Sequence, residues 1–180
     1  KMAVIRVLCV AFIELFRSVP LITILFMATT MFPLFLPGGM VINKLASAIV
    51  AVCLFAAAYM AEVVRGGLQA IPKGQYEAAE AVGLTYWQAT VLIVMPQALK
   101  FMIPNIVGNF MGLLKDTTLV SIIGLYDLLG MINAVSHDPK WIGLHHEPLF
   151  TAAVIFFIGC FGMSKYSQHL ERSLGAGNNR

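Results

Sequence analysis

Apolar residues run along this chain in four long stretches separated by short polar passages. Residues 18–43 carry no Asp, Glu, Lys or Arg over 26 positions, residues 45–61 none over 17, and residues 148–164 none over 17. Lys100 is the one charged residue within residues 86–114. A helix needs about 20 apolar residues to cross about 30 Å of hydrocarbon, and only helices or closed barrels satisfy their backbone polar groups there. The pattern therefore predicts an all-α polytopic membrane helix bundle with about four spans. Pro33, Pro37, Gly38 and Gly39 close the first stretch, and Pro96 and Pro104 predict kinks in the third. Residues 1–17 hold Lys1, Arg6, Glu14 and Arg17 among apolar neighbours. They are too charged to span a bilayer and read as an interfacial lead-in.

Between the second and third stretches, residues 72–96 open on a run of polar residues. Lys73, Gln75, Glu77 and Glu80 are costly in hydrocarbon, so this segment belongs in water. Residues 75–82 have good helix formers and no β-branched residue before Val82, with Pro72 as a start signal and Gly83 as a stop. A short helix is predicted. Ala78, Ala79, Ala81 and Gly83 give it a low profile that another backbone could approach, while Glu77 and Glu80 offer charge.

Glu77-Ala78-Ala79, three residues, Gly83, nine residues, Ile93, one residue and Met95-Pro96 follow at fixed offsets. This spacing resembles the EAA loop of ABC importer permeases, with Met95 where the family pattern has a Leu of similar volume. In that family the loop is a cytoplasmic coupling helix that docks in a cleft of the ATPase. The resemblance thus implies an EAA-type coupling segment over residues 73–96, with Gly74, Glu77, Ala78, Ala79, Glu80, Gly83 and Pro96 as ATPase-coupling residues. The other reading of the same residues is an ordinary Ala-rich loop helix.

Further stretches point the same way. Glu14-Leu15-Phe16-Arg17-Ser18-Val19-Pro20-Leu21 is similar to the ELFRxxPL signature of polar-amino-acid permeases, and a structural and gating role is expected for it. AYMAEVVRGGLQAIPKGQYEAA, residues 58–79, resembles the same group, as does Lys115-Asp116-Thr117-Thr118-Leu119-Val120-Ser121, with Thr118 where Ser is common. Over nearly the whole chain the likeness is strongest to the general L-amino-acid importer permeases, M-type subunit, of bacterial ABC systems. What this implies is a type I importer fold in the bacterial inner membrane. It also implies a second permease subunit, forming a hetero- or homodimer, two ATPase subunits and an external amino-acid-binding protein. The family pattern has at least one helix ahead of residue 1, so residues 1–180 are expected to be a single, N-terminally truncated permease domain. No GxxxxGK[ST] phosphate loop occurs in the sequence. The chain is accordingly expected to be a transport subunit that binds no cofactor, not an enzyme, with ATP and Mg on the partner ATPase.

Several polar residues in apolar surroundings are candidates for the translocation path. Ala58, Glu62 and Arg65 fall on one helix face near the end of the second span. A Glu there is paired or solvated, or, if it faces the bundle interior, functional. Asn105, Gly108, Asn109 and Gly112 share a stripe in the third span. Gly108 and Gly112 form a GxxxG that predicts close helix packing, while the two Asn amides either bond to neighbouring helices or line a path. Lys115 and Asp116 offer charges complementary to a zwitterion. On an α-helix, Thr117, Ser121 and Gly124 would share a face presenting hydroxyls to an α-amino or α-carboxylate group. The apolar run after Ser121 suggests a re-entrant or broken helix.

Residues 133–147 read as a polar loop with an interfacial Trp141. Its His145-His146-Glu147 run lacks the HExxH spacing of a zinc site. Cys9, Cys53 and Cys160 are small apolar fillers without metal-site spacing.

Composition agrees with the pattern: 59% of residues are hydrophobic and 12% charged, against about 25% charged in soluble domains. Mean hydropathy is +0.82. The net charge of +3 carries no implication of nucleic acid in such a chain. If the coupling segment is cytoplasmic, four spans put nine of the twelve Lys and Arg residues on or near the inner side, leaving Lys44, Lys115 and Lys140 elsewhere. The positive-inside rule favours that orientation, with the C-terminus also cytoplasmic. The alternative function is a secondary amino-acid transporter or channel. The Asn stripe and broken-helix signals favour it, although no proton-relay pair or inverted repeat is evident. An intramembrane enzyme lacks a nucleophile–base pair.

Overall fold

The computed structural model describes residues 3–35, 43–139 and 146–175; Lys1, Pro37, Gly38, Gly39, Lys140, Trp141, His145 and Arg180 lie outside them. The described residues are helical almost throughout, and their contacts divide into two units.

The first unit comprises Lys1–Tyr59 and Met111–Phe161. It opens with helix α1, Ala3–Ser18, and helix α2, Leu21–Phe26, which meet at a bend of 100°. Pro20, extended at φ −59° and ψ 143°, makes the corner, since proline disfavours helical geometry in the residue before it. α2 continues as a π-helical turn, Met27–Met31, and a 3₁₀ turn, Phe32–Phe35.

Helix α3, Lys44–Gln69, contributes its N-terminal part to this unit. The core packs Leu21 and Leu25 of α2 against Ala48 and Ala51 of α3 and against Ile123. Ile123 closes a 3₁₀ segment, Thr117–Ile123. After Gly124 comes the short helix α7, Leu128–Ser136, and then the N-terminal part of α8, His146–Gly175, whose Gly159 lies against Leu114.

The second unit comprises Met60–Phe110 and Gly162–Arg180. It holds the end of α3, the short helix α4, Lys73–Ala81, helix α5, Tyr86–Ala89, a π-helical turn, Thr90–Val94, and most of helix α6, Met95–Asp116. Ile71, Val94, Ala98 and Met102 form its core, with Val63, Leu68 and Ile106 packed around them. Among the described glycines, Gly67 of α3 has the least room for a Cβ. A Cβ there would collide with the Met102 side chain and stand 3.3 Å from the Ala98 carbonyl oxygen of α6.

Both π-helical turns have the same origin. Phe32 and Met95, each the residue just before a proline, donate their N–H to the carbonyl five residues back, at Met27 and Thr90. Proline cannot donate to the carbonyl four residues behind it, and its ring collides with that carbonyl, so a widened turn ahead of it relieves the clash. Within each turn a threonine hydroxyl donates to the carbonyl four residues back: Thr29 to Leu25 and Thr90 to Tyr86, both at 2.7 Å. The kink expected at Pro96 therefore takes the form of a wide turn preceding it.

Three helical runs are long and apolar enough to cross a membrane: Lys44–Gln69, Tyr86–Ile123 and His146–Ser173. Counting the bent pair Ala3–Ser18 and Leu21–Phe35 as one makes up to four. Only 17%, 17% and 6% of their apolar windows are buried within the chain. Most of each helix thus presents apolar side chains outward, which is stable only against lipid or other chains.

Three local expectations change. The third run does not stop at Leu114 but stays helical to Ile123. Residues 133–136 belong to α7 rather than to a loop, because Asp127 caps that helix, and His146 and Glu147 open α8. Gly108 and Gly112 do not mediate close packing among the described residues: a Cβ at either meets nothing within 4 Å, and the close approach falls to Gly67 instead.

Candidate functional site

The polar passage between the second and third spans folds as the short helix expected, starting two residues earlier, at Lys73, and ending one earlier, at Ala81. Pro72 precedes it with an extended ψ of 141°, and a proline just before a helix has no N–H to leave unpaired. At the other end, the Gly83 N–H donates to the Glu80 carbonyl at 2.9 Å and the Leu84 N–H to the Ala79 carbonyl at 3.1 Å. This is a Schellman end, and it requires the left-handed conformation that Gly83 adopts at φ +79°. Ala79 alone faces inward, at 1% exposure. Gly74, Glu77, Ala78, Glu80 and Gly83 are all exposed, as is Pro96 on α6.

The chain restarts at once. Thr85 caps α5 through a capping box with Gln88, whose Oε1 accepts the Thr85 N–H at 2.9 Å. A side-chain hydrogen bond links the short helix to the third span: Gln97 Nε2 donates to Gln75 Oε1 at 2.9 Å and to the Ile93 carbonyl at 3.0 Å. Sequence reasoning missed this bridge, because nothing local marks two glutamines 22 residues apart as partners. The hint that existed was position, since Gln97 directly follows the Pro96 that ends the wide turn.

The candidate path residues are arranged less favourably. Glu62 is clamped by Arg65 in a two-point ion pair, Nη2–Oε1 2.6 Å and Nε–Oε2 2.8 Å, with the Arg side chain 47% and the Glu side chain 22% exposed. Asn105 donates back to its own helix at the Phe101 carbonyl, 3.3 Å. Asn109 differs from it, since its Nδ2 is buried and has no hydrogen-bond partner among the described residues. A buried, unpaired amide donor costs about 1–3 kcal/mol, so Asn109 is the member of the stripe with an unmet need.

Lys115 and Asp116 end α6, and no ion pair joins them among the described residues. Neighbouring positions on a helix point about 100° apart, so the two do not face each other. Beyond them the backbone is 3₁₀, not α, and this overturns the expected face. At three residues per turn, Ser121 aligns with Thr118 and Gly124, while Thr117 sits about 120° away. The hydroxyl protons are also spent locally. Thr117 donates to the Leu114 carbonyl at 2.8 Å, Thr118 to Lys115 at 2.7 Å and Ser121 to Thr118 at 2.7 Å. Each oxygen can still accept a hydrogen bond.

A carboxylate absent from the sequence-based candidates lies close by. Asp127 Oδ1 accepts the Gly130 N–H at 2.8 Å and caps α7, while its Oδ2 is buried without a hydrogen-bond partner among the described residues. Gly130 is locked in place, since a Cβ there would stand 3.1 Å from Asp127 Oδ1, 3.3 Å from the Tyr126 ring and 3.6 Å from the Ser121 Cβ. The N-cap pattern of Asp before an apolar helix was the available signal. No cluster of metal-ligating side chains forms among the described residues.

Fold and site together define an integral membrane helix protein with a capped, exposed polar helix inserted between two membrane-crossing runs. The chain belongs to the family of binding-protein-dependent transport system inner membrane components, whose model matches residues 2–175. It is 53% identical over 176 residues to the inner membrane amino-acid ABC transporter permease protein YhdY of Escherichia coli strain K12, covering 98% of this chain and 48% of that protein. It is likewise 53% identical over 174 residues to the glutamate/glutamine/aspartate/asparagine transport system permease protein BztC of Rhodobacter capsulatus, covering 96% and 40%. The chain thus spans about half, or less, of the length of these relatives.

Among solved structures, the crystal structure of an amino acid ABC transporter with histidines matches with a TM-score of 0.83 at 29% identity, over 96% of this chain and 78% of that one. An inward-facing structure of the MetNI methionine ABC transporter matches with a TM-score of 0.72 at 25% identity, over 91% and 73%. The all-α fold is that of ABC importer permeases, and the protein belongs to the inner membrane.

Proposed function

We propose that this chain is the transmembrane permease subunit of an ATP-driven amino-acid importer, contributing the translocation path and coupling it to a separate ATPase. The observation that carries the proposal is α4: a short helix closed at its C-terminal end, whose exposed face presents Glu77, Ala78 and Glu80 while only Ala79 is buried. Such a helix contributes little to the chain's own core and is shaped for another protein.

Gly74, Glu77, Ala78, Ala79, Glu80, Gly83 and Pro96 form the coupling segment in this reading, which lies with the C-terminus on the cytoplasmic side. The partners are a second permease subunit, two ATPase subunits that hold ATP and Mg, and an external amino-acid-binding protein. ATP-driven closure of the ATPases moves α4, and the Gln75–Gln97 bond passes that movement to α6. Glu62, Asn105, Asn109, Lys115, Asp116, Thr117 and Ser121 are the proposed path residues, with Asn109 offering a free buried donor. Relatives whose names state amino-acid transport support the substrate class.

The test is uptake of radiolabelled amino acid into vesicles holding the assembled transporter. Uptake that needs ATP and survives collapse of the ion gradients is expected. Uptake that ignores ATP and stops when the gradients collapse would overturn the proposal in favour of a secondary transporter.

A further inference from the structure

Immediately after α4 the chain exposes two large aromatic residues side by side. Tyr86 and Trp87 are 72% and 73% exposed and pack edge to face on each other, ring centroids 5.5 Å apart at 75°. Neither the Tyr86 hydroxyl nor the Trp87 indole N–H has a hydrogen-bond partner among the described residues. They open Tyr86–Ile123, a run apolar enough to cross a membrane, and the next outward residues, Val91 and Leu92, are 62% and 65% exposed. On the other side stand the charged residues of α4. The pair therefore marks the chemical boundary between a water-facing helix and a hydrocarbon-facing one.

We infer that Tyr86 and Trp87 form a phospholipid contact site that fixes the height of α4 at the bilayer surface. An indole or phenol ring is apolar over most of its area and carries one polar handle. That combination is stable at the glycerol and headgroup level, where the ring lies against acyl chain and the N–H or O–H meets ester and phosphate oxygens. A core position would bury the rings, and a fully aqueous position would leave two large apolar surfaces hydrated. The Thr85–Gln88 capping box and the T-shaped pairing hold the rings in place next to the Schellman end at Gly83, so anchoring them anchors α4.

The inference rests on the coupling reading only in taking α4 to lie beside the bilayer, and one experiment separates the two. The photoreactive residue p-benzoylphenylalanine is placed at Trp87, or alternatively at Val82, the 74% exposed C-cap of α4, in the full-length chain assembled with its partners in native membranes. After irradiation, the position-87 peptide is expected to gain the mass of a phospholipid. A position-87 adduct to a protein chain, or no lipid adduct at all, would overturn the lipid assignment. A position-82 adduct to the ATPase supports coupling; its absence counts against coupling and leaves the lipid result standing. Tyr86→Ala with Trp87→Ala should lower ATP-driven uptake severalfold at equal membrane levels, and Trp87→Tyr should restore it. Uptake equal to the parent in the double variant would refute the anchoring role.

Discussion

Residues 72–84 and 115–125 end in the same way. In each, a glycine in the left-handed region, Gly83 at φ +79° and Gly124 at φ +76°, is followed by a leucine. In each, the glycine N–H bonds three residues back and the leucine N–H five residues back, to Glu80 and Ala79 in one case and to Ser121 and Val120 in the other. What precedes the glycine differs. The first segment is a regular α-helix with its charges free on the surface; the second is a 3₁₀ helix whose three hydroxyls are bonded to its own carbonyls. An identical stop signal therefore serves two purposes. Residues 72–84 leave an exposed helix, the one proposed to couple to the ATPase, whereas Thr117–Ile123 spends its polar groups on ending α6 and buries Ile123 in the core.

The sharpest way to break the comparison is at Gly83. A Cβ there meets nothing within 4 Å among the described residues, so the penalty of a first side-chain atom comes from the backbone conformation rather than from crowding. A non-glycine residue in the left-handed region costs about 1–2 kcal/mol, enough to shift a local equilibrium by about 5–30-fold. Gly83→Arg should cut ATP-driven uptake about tenfold or more at unchanged expression, whereas Gly83→Asn, which tolerates this conformation, should keep most of it. Equal loss in both variants would show that the small surface, not the backbone, is what matters.

Next comes the Gln75–Gln97 bridge, which has no counterpart near Gly124. A neutral hydrogen bond contributes about 0.5–1.5 kcal/mol. If it transmits movement from α4 to α6, Gln75→Ala and Gln97→Ala should each lower uptake severalfold, and the double variant should be no worse than the weaker single. Additive losses in that cycle would show that the two residues act separately.

The two regions also differ in how far a sequence can reveal them. The α4 helix depends on neighbours in sequence: Pro72 to start it, helix formers through Ala81 and Gly83 to stop it. Its ends were legible for that reason. The face carrying Thr117 and Ser121 was not, because changing from 3.6 to 3.0 residues per turn reassigns every side chain while leaving the residue pattern the same. GxxxG at Gly108 and Gly112 looked like the close contact, yet the Met102 side chain chose Gly67, a decision made by tertiary packing. The wide turns before Pro33 and Pro96 were legible only as breaks, since proline announces a missing bond and not how the chain absorbs it.

In the second region, Asp116→Asn should slow uptake while leaving the amino-acid affinity of the proposed external binding protein unchanged. Because no ion pair joins Lys115 to Asp116 among the described residues, the exchange Lys115→Asp with Asp116→Lys should fail to restore it. Restoration would show that the two pair in another state of the transport cycle. Asp127→Ala removes a helix cap, which costs about 1 kcal/mol. It should lower the melting temperature by about 2–4 °C, a shift that Asp127→Asn, still able to cap, largely avoids.

The smallest effect is expected at Glu62, on α3, a residue of neither segment. Its two bonds to Arg65 join positions three apart on one helix, and the arginine is half exposed. Such pairs contribute about 0–1 kcal/mol, since solvent screens them and two long side chains must be ordered to make them. Glu62→Gln keeps the shape and one hydrogen-bond acceptor while removing the charge. If Glu62 only holds Arg65 at the helix end, the melting temperature should move by about 2 °C or less and uptake should stay near that of the parent. If its carboxylate instead meets the substrate's ammonium group, uptake should collapse with stability unchanged, because a lost charge contact acts on binding and not on the fold. Measuring both on one preparation separates these outcomes, and Arg65→Gln supplies the control: it breaks the same pair while leaving the carboxylate in place.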